Sequence, residues 1–71
     1  MDIARVLAAN INAEMEARGI DRLQLVFDLG YRPETIERWL SGERCVTAYG
    51  LYKMSKYFGC TMEHLMAGVD G

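Results

Sequence analysis

The chain has 71 residues, of which 51% are hydrophobic, and this predicts one small folded domain rather than a disordered segment. Ten acidic and eight basic residues give a net charge of −2, so bulk charge does not predict a nucleic-acid binder. Any affinity for phosphate must therefore come from the placement of individual side chains.

Export and membrane insertion are not expected from the sequence. Apolar runs stay far below the roughly 18 residues that a membrane span needs, and the first ten residues lack the features of a secretory signal. Cys45 and Cys60 are expected to be free thiols. We therefore expect a cytoplasmic protein with no membrane partner.

The first predicted helix covers Ile3–Arg18, where apolar residues recur every four positions. Asp2 is the expected N-cap and Gly19 the expected end of this helix. Ile20 is expected to fold back onto the core.

Two short helices follow, and a tight turn separates them. Arg22–Leu29 forms the first, with Asp21 as its cap and Gly30 at its end. Pro33 can open the second, since the first helical position loses nothing by lacking an N–H, and Gly42 closes it. Two such helices around a short glycine-containing turn predict a helix-turn-helix.

The last third of the chain predicts a loop and two more helices. Thr47 can cap a helix over Ala48–Phe58, in which Gly50 indicates close packing against another helix. Thr61 can cap a short fifth helix over Met62–Met66. We expect one domain over residues 1–68 and a disordered tail over 69–71.

These elements predict an all-α fold, a compact bundle of five short helices. The apolar periodicities assign one group of side chains to a single core: Leu7, Ile11, Leu25, Val26, Leu29, Ile36, Trp39, Leu51, Met54, Phe58 and Leu65.

The segments Leu25–Gly30 (LVFDLG) and Thr35–Gly42 (TIERWLSG), with Tyr31 between them, carry a family resemblance. Together with Leu51–Leu65 they occur in the order and register of the phage-repressor/Cro-like, or Xre-type, helix-turn-helix family. The chain resembles this family over Ile3–Gly68. The resemblance implies a lambda-repressor-like bundle whose second motif helix enters the DNA major groove.

The resemblance also implies the roles of individual side chains. The base-facing positions of the family correspond here to Pro33, Glu34, Thr35 and Arg38. Candidate phosphate ligands are Arg22, Arg32 and Arg44. The function expected from the resemblance is a sequence-specific transcription regulator, of the repressor type, that binds double-stranded DNA.

Such a regulator is expected to be a homodimer, since one small domain makes too few contacts for useful specificity. The last apolar side chains of the sequence are the candidates for the dimer surface: Tyr57, Met62, Leu65 and Met66.

The alternative is a protein-interaction module of the same fold, antitoxin-like or antirepressor-like, with a regulatory protein partner and weak or no DNA binding. Pro33 cannot hydrogen-bond a base, phosphates repel Glu34, and Glu43 stands where the family has a basic residue. Arg38 could also pair with Glu34, one helical turn earlier.

An enzyme or metal site is the third class considered. Cys45, Cys60 and His64 are the only soft ligands in the sequence, whereas a structural zinc site normally uses four. We therefore expect no catalytic site, cofactor, metal or small-molecule substrate.

Overall fold

The computed structural model describes residues 2–69, which form five α-helices joined by short turns. The helices are α1 (Ile3–Arg18), α2 (Arg22–Leu29), α3 (Pro33–Ser41), α4 (Ala48–Phe58) and α5 (Met62–Leu65). The first four have the predicted bounds, whereas α5 ends one residue early because Met66 belongs to the turn that follows. Residues 2–69 contain no strand, so the all-α class is confirmed.

Side chains cap three of the helices as predicted. Asp21, Thr47 and Thr61 each accept a hydrogen bond from the backbone N–H three residues later, at 2.9–3.0 Å. The prediction that the side chain of Asp2 caps α1 is wrong. Asp2 occupies the N-cap position, but its carboxylate lies 3.4 Å from the Nε of Arg5 and caps no backbone group.

One hydrophobic core receives side chains from all five helices. Every residue predicted for it is buried except Val26, which is partly buried against it. Ile20 also packs against the core, as predicted. Ile3 is 46% exposed, since it lies in the first turn of α1, ahead of the buried stretch that begins at Leu7. Val46, from the loop before α4, is buried as well.

The central pair of helices is held in place from both sides. Gly30 ends α2 with a φ of 78°, a conformation that favours glycine, and the chain re-enters a helix at Pro33. The Nζ of Lys53 on α4 donates to the carbonyl of Leu29 at 2.7 Å. The Nδ2 of Asn12 on α1 donates to the carbonyl of Leu40 at 2.9 Å. These bonds fix the end of each motif helix.

The end of the described chain folds back onto α1. The Nδ2 of Asn10 donates to the carbonyls of Leu65 and Ala67, at 2.7 and 2.8 Å. Val69 is partly buried against the core, so the tail predicted to be disordered from residue 69 is packed at its first residue. Asp70 and Gly71 lie outside the described residues.

Across residues 2–69, we find no helix with the length and apolar content that a membrane crossing requires.

Candidate nucleic-acid interface

Helix α3 has an inner and an outer face. Ile36 and Trp39 are buried on the inner face, where the edge of the Tyr31 ring meets the Trp39 ring with centroids 4.8 Å apart. Glu34 and Arg38 are exposed, and Thr35 is half-buried. The outer face of α3 therefore carries polar side chains on successive helical turns, and a partner can reach them.

The first motif helix contributes to the same surface. Arg22 of α2 lines the same surface depression as Glu34 and Arg38, and this depression has a volume of about 490 Å³. We call this surface the α3 face, and it also includes Glu37, Ser41 and Glu43. Three residues predicted for the site are thereby brought together.

Both arginines of the α3 face have a carboxylate partner. The Nη1 of Arg22 lies 2.9 Å from Oε1 of Glu37, and the Nε of Arg38 lies 3.2 Å from Oε2 of Glu43. The predicted alternative pair between Arg38 and Glu34 is wrong, since Glu43 takes that position. All four paired side chains are at least half exposed. Exposed ion pairs of this kind contribute about 0–1 kcal/mol, so neither pair prevents its arginine from contacting DNA.

A second, smaller cleft adds Arg44 to the interface. It has a volume of about 190 Å³ and lies between α3 and the loop that leads to α4, where Thr35, Arg38 and Arg44 meet Thr47. The backbone N–H of Arg44 donates to the carbonyl of Arg38 at 3.1 Å, which holds the loop against the end of α3. Two arginines and two threonines thus line one opening.

Arg32 and Pro33 lie at the start of α3 and line neither opening. Arg32 is exposed and its side chain caps no backbone group, while Pro33 occupies the first turn. Within residues 2–69, Arg32 and Arg44 form no ion pair. Of the four arginines predicted for the site, Arg22 and Arg38 are thus paired with carboxylates of the described chain, whereas Arg32 and Arg44 are not.

The side chains predicted for a dimer surface differ in how far they are exposed. Leu65 is fully buried, so this part of the prediction is wrong, and Leu65 fills the core instead. Met66 is exposed, and Met62 is partly buried. The hydroxyl of Tyr57 donates to Oδ2 of Asp28 at 2.6 Å, which engages its polar end within the domain.

One pair of exposed apolar side chains on α2 was not predicted from the sequence. Leu23 and Phe27, one turn apart on α2, are 70% and 87% exposed. Both lie outside the predicted buried face of Leu25 and Leu29. Apolar residues off the buried face of a helix are the sequence signal from which this exposed pair could have been predicted.

The soft ligands do not form a metal site in the part of the chain that is described. Cys45 and Cys60 are free thiols, and residues 2–69 contain no group of three side chains suited to a metal. Burial raises the pKa of the Cys60 thiol, which favours the uncharged form, whereas metal ligation needs the thiolate.

Comparison with known proteins identifies no relative: the chain matches no protein-family model, no curated protein and no solved structure.

Proposed function

We propose that this chain is a sequence-specific DNA-binding transcription regulator, of the repressor type, that inserts α3 into the major groove of double-stranded DNA. The observation that carries the proposal is the position of Arg38. It is exposed on α3, and it shares one opening with Arg22 and another with Arg44. Such a regulator acts where its DNA is, which for the Xre-type proteins it resembles is the cytoplasm.

The chemistry of the outer face of α3 suits base recognition. Arginine can donate two hydrogen bonds to O6 and N7 of guanine, and a glutamate can accept one from N4 of cytosine. Arg38 and Glu34, one helical turn apart, could therefore recognise a step that contains G·C. Thr35 supplies a hydroxyl, and Pro33 supplies only apolar or steric contact.

The three remaining arginines suit the sugar-phosphate backbone. Arg22 begins α2, Arg32 directly precedes α3 and Arg44 lies in the loop that follows it, so all three belong to segments next to α3 in the chain. Contacts to phosphate fix the register of a protein on the duplex and carry no sequence information directly.

The active form proposed here is a homodimer on two half-sites about 34 Å apart, one helical turn of DNA. With Leu65 in the core, the exposed or partly exposed members of the predicted surface are Tyr57, Met62 and Met66.

Selection of bound duplexes from a random library tests the proposal. The enriched sequence should contain related half-sites, and Arg38→Ala should lower affinity for it by about 1–3 kcal/mol while relaxing the preference at one base pair. Sedimentation of the complex should give two copies per duplex. A library that shows no enrichment after repeated rounds would contradict the assignment.

A protein-interaction module is the second candidate, and the exposed Leu23 and Phe27 favour it. Large apolar side chains exposed side by side on a helix are typical of a surface that meets another protein. This candidate predicts no duplex binding at low salt.

A further inference from the structure

Glu43 comes directly after the turn that ends α3, and its carboxylate lies against the proposed base-reading arginine. Its Oε2 is 3.2 Å from the Nε of Arg38, with the two side chains 67% and 50% exposed. The contact has no place in the roles assigned above, because Glu43 itself is expected to repel phosphate.

The backbone that carries Glu43 is fixed by three hydrogen bonds. Gly42 turns the chain with a φ of 79° and donates to the last turn of α3. The N–H of Glu43 donates to Oγ of Ser41 at 3.3 Å, and the N–H of Arg44 donates to the carbonyl of Arg38 at 3.1 Å. A side chain at position 42 would lie 2.9 Å from an arginine of α1, so this turn is closely packed. The Glu43 side chain therefore extends from a fixed backbone position.

The nitrogen that Glu43 meets decides what the contact can do. Nε is the guanidinium nitrogen nearest the chain, and the two terminal nitrogens form the opposite edge of the group. Two terminal nitrogens suffice for the double hydrogen bond to a guanine. A partner at Nε can thus hold Arg38 without using the edge that would reach the base.

From this geometry we infer that Glu43 is a positioning residue, which orients Arg38 toward base edges in the major groove. The inference rests on the proposed function and adds to it a residue that supports the specificity of Arg38. Arginine loses much rotamer freedom when it binds, and a partner that already restricts the side chain reduces that loss.

The charge of Glu43 has a second effect in the same direction. A carboxylate on the interface repels phosphates of every sequence equally. Glu43 therefore weakens binding to random DNA while it supports the preference of Arg38 for one base pair. Both effects increase the ratio of specific to non-specific affinity.

The test compares Glu43→Gln with Glu37→Gln. Both variants remove one negative charge from the α3 face, but Glu37 contacts Arg22 at 2.9 Å rather than Arg38. Affinity is measured for the selected duplex, for the same duplex with the guanine opposite Arg38 replaced, and for random duplex. Thermal unfolding checks that each exposed substitution leaves the fold intact.

Both variants should bind random duplex more tightly than the parent. Only Glu43→Gln should lose base preference: a parental ratio of about five-fold or more at that position should fall to about half its value or less. In an Arg38→Ala background, Glu43→Gln should change the ratio no further.

The outcomes separate the two claims. If the parent selects a sequence and Glu43→Gln keeps or increases the preference, the inference about Glu43 is wrong and the proposed function stands. An equal loss of preference in Glu37→Gln would also overturn the inference, since a general charge effect would explain it. If the parent binds no duplex, the proposed function fails, and the role of Glu43 fails with it.

Discussion

At the scale of single residues, Gly50 shows why a poor helix former lies inside α4. A β-carbon at this position would lie 2.7 Å from Cη2 and 3.0 Å from Cζ3 of Trp39. Gly50 is buried, and Trp39 is only 4% exposed. These distances confirm the close helix packing that the sequence predicts at Gly50.

Gly50→Ala is therefore expected to destabilise the domain. Alanine gains up to about 1 kcal/mol in helix propensity, but overpacking against the indole costs about 1–3 kcal/mol. Urea unfolding should show a net loss of stability. In a Trp39→Phe background the six-membered ring of the indole is gone and only the contact with Oγ1 of Thr47, at 3.0 Å, remains, so the same substitution should cost less than in the parent. A stabilising effect in the parent background would show that the ring moves aside freely.

At the scale of elements, two polar contacts join α4 to α2. Lys53 binds the carbonyl of Leu29, and Tyr57 binds the carboxylate of Asp28. The hydrogen bond to Asp28, with smaller contributions from burial and from the charge of Asp28, raises the pKa of Tyr57 to about 12. Since α2 leads directly into α3, this bond helps to fix both helices within the bundle.

The raised pKa predicts a dependence of stability on alkaline pH. A group with a raised pKa in the folded state contributes stability that is complete below its unfolded pKa, near 10, and that disappears as the pH rises through about 12. The bond to Asp28 is largely exposed, so Tyr57→Phe should cost no more than about 1 kcal/mol at pH 7.

Urea midpoints at pH 7 and pH 11 test this prediction. The urea midpoint of the parent should exceed that of Tyr57→Phe by less at pH 11 than at pH 7. Tyr49→Phe is the matched control, since Tyr49 is 66% exposed. Its urea midpoint should equal that of the parent at both pH values. A constant difference between the parent and Tyr57→Phe would show that ionisation of Tyr57 does not affect the fold.

At the scale of the whole molecule, the helices were predictable because periodicity and capping agreed along the chain. Asp21, Thr47 and Thr61 each stand before an apolar-periodic segment, and each caps the helix that follows. Val46 was missed because one apolar residue in a loop has no period. Leu65 was assigned to both the core and the dimer surface, and only burial in the folded chain separates the two.

The candidate interface was less predictable than the fold. Helical spacing predicts which residues share a face, and Glu34 and Arg38 do so. It does not predict that Arg38 meets Glu43, because that contact depends on the turn at Gly42 and on the rotamers of two exposed side chains. The exposure of Phe27 likewise depends on which faces of α2 the other helices cover.

If this acidic protein binds DNA through a few placed arginines, its affinity for random duplex must fall as the salt concentration rises, and that dependence can be measured. One copy that neutralises three phosphates should give a slope of about −2.7 in a plot of log K against log salt. Arg44→Ala should weaken binding to all sequences alike and reduce the magnitude of the slope by about one. No binding at low salt, or a slope that Arg44→Ala leaves unchanged, would show that these arginines do not hold the protein on DNA.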